Sequence, residues 1–456
     1  MALVSNSGRP LVVAVEMGYG HLRAARNLAD ALGEPVVQID RAPLVSAAEQ
    51  KIWHRTRFAY EATSRLSQLP VVGAPLRWLL DQLTSIPHLH PFRDLSAPTQ
   101  GVRTLDRLIR RGLAQGLVEE LRASGRPLLT TFYAPAIAAD RAGLNEIYCV
   151  VTDTDVNRVW APQDTAATRI QYLVPSHRVA KRLQLYGVPA SRITFTGFPL
   201  PDALVGGRQL THLTRNLTAR IARLDPDGTF RREHAEELSH FLGTVPEAAR
   251  GEPPLLTFAV GGAGAQADLA RAFLPSLRAD VEAGRLRVAL VAGVKPMVRD
   301  SFLEALRAVG LEAALGRGIE VLFETELDAY FDAMNLLLAR TDVLWTKPSE
   351  LCFYAALGIP LICASPVGVH ERHNRRWVRE SGAGFKQRDA RFAGEWIGDM
   401  LVEGALAEAA WAGFVRLPKF GLYRILDLVC GEASGLATAG AVRPLGFRRS
   451  GDATGP

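Results

Sequence analysis

Cysteine is scarce: the 456 residues hold four, Cys149, Cys352, Cys363 and Cys430, with no CxxC pair and no nearby histidine to complete a set. Neither a disulfide framework nor a thiolate zinc site is indicated. Cys149 and Cys363 stand in apolar runs, where a free thiol behaves as a small buried hydrophobe, in keeping with a reducing cytosol. Long hydrophobic runs are also missing. None reaches the roughly 18 residues of a bilayer-spanning helix, so any membrane contact is expected to be peripheral, on the inner face. The first ten residues lack a charged segment followed by an apolar one, so no export signal is expected and a cytoplasmic location is. Nor is there a Lys/Arg tract. The net charge of +6 is spread along the chain, which disfavours a nucleic-acid reader but suits anionic partners such as nucleotide phosphates or an acidic membrane surface.

What is present is ordinary globular material. Hydrophobic residues make up 48% and charged residues 22%, enough to bury a large core and to argue against disorder over most of the length. The length suits two domains with connecting pieces.

Strand and helix signals alternate. Leu11–Val15 is a short apolar run ending in Met17-Gly18-Tyr19-Gly20-His21, after which Leu22, Ala25, Leu28, Ala29 and Leu32 recur at helical spacing. Further strands are expected at Val36–Ile39, Leu128–Phe132, Ile147–Thr152, Leu173–Pro175 and Ile193–Thr196, with helices between them. This alternation predicts a parallel sheet covered on both faces. Residues 46–123 read as a helical insertion rich in Trp, Phe, Arg and His. Its stripe of Trp53, Phe58, Tyr60 and Leu66 suits either a buried core or a lipid-facing surface.

The first domain is expected to cover 1–201, followed by a polar helical linker over 202–254. Leu255–Val260 followed by Gly261-Gly262-Ala263-Gly264 opens a second strand, glycine loop and helix, so the gross pattern repeats over 255–404. Strands are expected at Val288–Val291, Ile319–Phe323, Val343–Trp345 and Pro360–Ala364. Helices follow over 405–430, then a disordered tail over 431–456.

Three segments carry chemistry. Gly261–Gly264 lies where a strand gives way to a helix, so exposed N–H groups and the helix dipole could hold a diphosphate. Thr346-Lys347-Pro348-Ser349-Glu350 leads into an apolar helix ended by Gly358, and Pro348 and Ser349 suit its start. Glu350 in the first turn either complements the dipole or binds ribose or sugar hydroxyls. Gly368-Val369-His370-Glu371-Arg372-His373-Asn374 is a polar stretch feeding another helix that ends at Gly382-Ala383-Gly384.

These segments resemble the donor half of glycosyltransferases related to monogalactosyldiacylglycerol synthase and to the lipid-linked N-acetylglucosaminyltransferase of peptidoglycan assembly. In those families an "EA..GxP" helix precedes a "PGQExxN" loop and a "GxG" ending. The N-terminal half agrees: Gly18-Tyr19-Gly20-His21 with Ala24-Ala25 is similar to an acceptor-side "GGGHxxAA" loop, and Val151-Thr152-Asp153 to "VTD". Tyr186-Gly187-Val188-Pro189 through Gly197 is similar to "GVPxxKIxVxG". The sequence departs in places. Phe353 stands where the family has its ribose-binding glutamate, with Glu350 one helical turn earlier. His370-Glu371 replaces Gln-Glu, Asn374 matches, and the family histidine is not reproduced around Asp155–Trp160.

The resemblance implies the GT-B architecture, two Rossmann-like parallel-sheet domains facing a central cleft. It implies an inverting, metal-independent transferase with no cofactor, taking a sugar from a nucleotide-diphosphate donor such as a UDP-sugar to an unnamed acceptor, a lipid being one candidate. Lys295 and Lys347 would then neutralise donor phosphate, against surface ion-pair roles as the alternative, while Glu371 and Asn374 would face the sugar with Gly368 and His370 beside them. His21, at the end of the first strand, is the first choice of general base, against a role as a helix-capping loop histidine. Asp153 is the second choice of base. A nucleotide-sugar or lipid-binding protein that lost catalysis, and an epimerase or hydrolase on the same scaffold, remain as alternative readings.

Overall fold

A computed structural model of the chain describes residues 8–41, 44–45, 49–51, 53, 85–243, 252–260, 266, 268–366, 368–431, 440–442 and 444–445. It forms two compact units. The first comprises Met1–Pro199 with Val367–His373 and Phe420–Pro456, and the second Leu200–Pro366 with Asn374–Lys419. The two-domain α/β architecture expected from the alternating pattern is the one the chain adopts.

In the first unit, β1 (Leu11–Ala14), β2 (Val37–Gln38), β3 (Leu128–Thr130), β4 (Ile147–Val150), β5 (Ile170–Val174) and β6 (Ile193–Phe195) are parallel, in the order β2-β1-β3-β4-β5-β6. Every residue of β1 and β3 is buried, as strands covered by helices on both faces must be. The helix Tyr19–Leu32 turns Leu22, Ala25, Leu28, Ala29 and Leu32 inward. Ser176 caps the helix His177–Leu185, its Oγ accepting from the Val179 N–H at 3.2 Å.

Within the segment expected to be a disordered tail, Gly440–Ala441 (β13) adds an antiparallel strand to β6. The remainder of that tail, 432–439, 443 and 446–456, lies outside the described residues. So do 46–48, 52 and 54–84 of the helical insertion, including Phe58, Tyr60 and Leu66. Its described part includes the helices Gln100–Arg110 and Gln115–Ser124, and Trp53, which is buried and donates through Nε1 to Glu49 Oε1.

The second unit holds β7 (Leu255–Ala259), β8 (Arg287–Gly293), β9 (Ile319–Phe323), β10 (Val343–Thr346), β11 (Leu361–Cys363) and β12 (Gly384–Lys386), all parallel, in the order β9-β8-β7-β10-β11-β12. Three local differences from the sequence expectation have physical causes. Gly384 does more than end a helix: it starts β12, where a Cβ would fall 2.4 Å from the Leu361 carbonyl oxygen. The helical linker expected over 202–254 is broken between Thr229–Glu233 and Ala235–Leu242 because His234 leaves helical dihedrals, at φ −119° and ψ 29°.

The third difference is Glu350–Leu357, which winds as a 3-10 helix. That form seldom exceeds three or four residues because its hydrogen bonds are poorly aligned. Here neighbours support it. The helix Ala405–Arg416 passes so close that a Cβ on Gly413 would meet the Ala355 oxygen at 2.3 Å, and the buried Arg220 donates to the carbonyls of Leu357 (3.0 Å) and Gly358 (3.3 Å). Arg220 also donates through Nε to the Thr341 carbonyl at 2.7 Å, tying the start of β10 to the end of the 3-10 helix. No helix among the described residues is long and apolar enough to cross a membrane.

Candidate active site

In both sheets the strand order reverses direction at one point, and open α/β sheets bind ligands there, beyond the carboxyl ends of the strands. In the first unit the reversal falls between β1 and β3. Gly18 opens the loop after β1 at φ 138° and ψ 156°, a conformation almost restricted to glycine, and Tyr19, Gly20 and His21 form the first turn of the helix. His21 therefore stands at the reversal. Its Nδ1 lies 2.9 Å from the Thr131 carbonyl oxygen, just beyond β3, and 3.0 Å from Thr152 Oγ1, just beyond β4. Thr131 returns a bond through Oγ1 to the His21 carbonyl at 2.9 Å.

A carbonyl can only accept, so Nδ1 carries the hydrogen and the neutral ring keeps its lone pair on Nε2. Phe132 meets the ring edge-on at a centroid distance of 4.8 Å, and Trp160 lies 6.2 Å away. The imidazole is thus fixed in tautomer and plane by three loops from adjacent strands. Asp153 follows Thr152 and is half-buried.

Asp155, two residues further, has a structural environment. Its fully buried carboxylate takes a two-pronged contact from Arg182 (2.9 and 3.1 Å), a bond from Arg178 Nε (3.0 Å) and one from the Val156 N–H (3.0 Å). His373 Nδ1 lies 3.4 Å from it. Burial works against the Arg182 charge, but the hydrogen bonds and attraction of Asp155 outweigh it and hold the guanidinium above its ordinary range. This cluster locks the loop after β4 to the helix His177–Leu185.

In the second unit the reversal falls between β7 and β10. Counted from β7 as the first strand, the order is 3-2-1-4-5-6, that of doubly wound sheets that bind dinucleotides. Gly261, Gly262, Ala263 and Gly264, the expected diphosphate loop after β7, lie outside the described residues. Around that point two hydrogen bonds tie neighbouring strand ends together. Thr346 Oγ1, at the end of β10, donates to the Ala259 carbonyl at the end of β7 (3.0 Å). Gln266 Nε2 donates to the Ser365 carbonyl beyond β11 (2.6 Å).

Lys295 follows β8 as the N-cap of the helix Pro296–Ala308, half-buried, and Lys347 follows β10, also half-buried. The Ser349 N–H turns back to the Lys347 carbonyl at 2.7 Å, and Ser349 is the N-cap of the 3-10 helix. Asn374, fully buried in the helix Val369–Glu380, donates through Nδ2 to the Pro348 carbonyl at 3.2 Å, which brings the expected sugar-facing residue onto the loop that carries Lys347 and Ser349. Gly368 precedes that helix. Glu371 in its first turn is 2% exposed, and the more open His370 places Nε2 3.8 Å from Glu371 Oε1.

Glu350 and Phe353 are both buried. With three residues per turn, the 3-10 winding sets the two side chains one above the other along the axis. Phe353 packs on Trp377, ring centroids 5.3 Å apart. Among the described residues no group of three or more His, Cys, Asp or Glu is placed to hold a metal ion.

Sequence reading missed Thr131, Asp155 and Arg220. Thr131 acts through a backbone carbonyl 110 positions from His21, which no local pattern reveals. Arg220 did leave a signal. It falls on the apolar stripe Leu213, Leu217, Ile221 and Leu224, where a cation must find internal acceptors.

A family model described as a domain of unknown function (DUF6938) matches residues 305–424. No curated protein matches the chain in sequence. Among solved structures, MurG of Acinetobacter baumannii is 12% identical at a TM-score of 0.48, over 92% of this chain and 99% of that one. The glycosyltransferase SnogD from Streptomyces nogalater is 15% identical at 0.43, over 92% and 99%. UDP-GlcNAc 2-epimerase from Neisseria meningitidis, bound to UDP-GlcNAc, is 11% identical at 0.43, over 73% and 84%.

Proposed function

We propose that the chain is a GT-B glycosyltransferase that moves a sugar from a nucleotide-diphosphate donor, a UDP-sugar in the first instance, to an acceptor hydroxyl with inversion. The observation that carries the reading is the seating of His21: a ring at the strand-order reversal, with Nδ1 on a carbonyl and the lone pair left to Nε2. In the reaction the acceptor oxygen forms a bond to the anomeric carbon, the bond from that carbon to the diphosphate oxygen breaks, and the electron pair leaves with the diphosphate. The acceptor proton passes to His21 Nε2. Asp153 is the alternative base.

On the donor side, Lys295 and Lys347 meet the charge that grows on the leaving diphosphate, together with the N–H groups assigned to Gly261–Gly264. Ser349, Glu350, Gly368, His370, Glu371 and Asn374 hold the nucleoside and the sugar. The acceptor is a lipid or another hydroxyl compound, and peripheral attachment to a membrane follows in the first case.

A second reading draws on Phe353. An aromatic packed on Trp377 replaces a carboxylate at the position the resemblance assigns to ribose, which favours a nucleotide-sugar binder without turnover. A thermal-shift screen against nucleotides and nucleotide sugars, followed by product analysis with and without an acceptor, separates the readings. Stabilisation by uridine nucleotides with acceptor-dependent release of UDP supports the transferase. Binding with no product supports the binder, and a converted sugar without acceptor an epimerase. No stabilisation by any nucleotide would remove the proposal.

A further inference from the structure

Beside β12 the second unit opens a cavity of about 250 Å³, lined by Arg379, Phe385, Lys386, Arg388, Trp396 and Met400, with the Gly384 backbone at its edge. Arg379 comes from the last turn of the helix Val369–Glu380, Lys386 from the end of β12 and Arg388 from the loop after it. Trp396 and Met400 come from one face of the helix Ala393–Val402. We propose that this cavity is a binding site for a phosphate-type oxyanion, separate from the donor residues and independent of the transferase reading.

The case is electrostatic. Three cations line one opening, and no acidic residue lines it with them. The carboxylates nearest in sequence are engaged elsewhere: Glu380 pairs with Arg376 at 2.5 Å and Asp389 with Arg391 at 2.6 Å. Among the described residues Arg379, Lys386 and Arg388 form no ion pair. Like charges gathered at one mouth repel, by about 1 kcal/mol per pair at 4 Å even in water. An oxyanion reverses that term and adds charge-assisted hydrogen bonds, for which a guanidinium fork fits phosphate well.

The floor strengthens the effect. Trp396 spends its Nε1 hydrogen on the Asp389 carbonyl at 3.0 Å, and its ring stacks edge-on against the buried Trp345 at 5.4 Å. What it offers the cavity is therefore apolar ring surface, to which Phe385 adds a second ring and Met400 an apolar thioether, and charge interactions are screened less beside such a wall than in open water. The volume is below the roughly 300–1,000 Å³ typical of sites for drug-sized molecules, so the cavity suits a phosphate group, not a whole nucleotide. That group is either soluble or the headgroup of a phospholipid.

The test uses the full chain and the double variant Arg379→Ala/Arg388→Ala, whose two positions are exposed and whose thermal midpoint should match the parent. Inorganic phosphate is titrated calorimetrically at fixed ionic strength. Co-sedimentation is run with vesicles of phosphatidylcholine alone and with added phosphatidylglycerol. Each lost cation should weaken phosphate binding about tenfold, whereas Arg340→Ala, an exposed cation beside β9 at the opposite edge of the same sheet, should leave it unchanged. Sedimentation with the anionic vesicles only, lost in the double variant, identifies a lipid headgroup. Calorimetric binding without sedimentation identifies a soluble phosphate. Equal binding by parent and double variant, or no binding of either probe by the parent, overturns the proposal.

Discussion

His21 Nδ1 and the Thr131 carbonyl oxygen are 2.9 Å apart across the β1–β3 reversal, and that contact decides which ring nitrogen can take a proton. Removing the ring while keeping the fold is the direct trial. His21→Ala should lower turnover by about 10²- to 10⁴-fold, the usual worth of a positioned general base, and leave donor affinity within about twofold of the parent. Steady-state kinetics and a donor titration check both halves. Turnover equal to the parent would take His21 out of the mechanism and bring Asp153 forward.

Arg220 is a structural counterpart, a buried cation whose acceptors are the carbonyls of Thr341, Leu357 and Gly358. Burial pushes its guanidinium down to about 10, so the charge itself is unfavourable there while its hydrogen bonds are not. Arg220→Leu relieves the buried charge but orphans three carbonyls, and the net expectation is a loss of about 2 to 4 kcal/mol in urea unfolding. Arg220→Lys should recover only part of it, because an ammonium lacks the fork that reaches both chain segments. A fully stable Arg220→Leu would mean the 3-10 helix holds its shape without this support.

Much of this was legible in the sequence, and the boundary has a physical basis. Apolar runs such as Leu255–Ala259 announce buried parallel strands because each residue faces a helix-covered surface, and Ser176 announces a helix start by its side-chain chemistry. Gly384-Phe385-Lys386 carries no such mark, being short, mixed in polarity and at the sheet edge, and it read as the end of a helix. Glu350–Leu357 read as helical, but its 3-10 winding depends on Gly413 and Arg220, both far away in sequence. The partners of His21 are of the same kind, fixed only when three strands align.

Asp40, in the turn after β2, offers a trial by pH. Burial and the nearby Glu16 carboxylate raise its pKa above the ordinary 3.8, with its own and the Glu16 backbone N–H and Arg41 opposing. The unfolded chain therefore releases this proton first as pH rises, the folded state holds more protons in the window above 3.8, and stability falls through that window. Asp40→Asn has no such proton to lose. Urea midpoints measured between about pH 4 and 7 should shift in favour of the variant as pH increases. A difference that stays constant or shrinks would show that Asp40 titrates normally in the folded chain.

Phe353→Glu tests the one departure on which the choice between transferase and binder turns. The resemblance places a ribose-binding carboxylate at this position, yet the side chain here is 3% exposed and packed on Trp377. A glutamate would enter that apolar contact, and its desolvation should lower stability by about 3 kcal/mol or more, whereas Phe353→Leu should cost less, about 1 to 2 kcal/mol. Glu350, stacked one 3-10 turn away, already supplies a carboxylate to the same face, so the added one should bring no gain in nucleotide affinity. Urea unfolding with a UDP titration of both variants measures the two effects. Tighter UDP binding by Phe353→Glu would instead mean that the ribose subsite lies at Phe353 and that the natural chain has lost a donor contact, which would favour the non-catalytic reading.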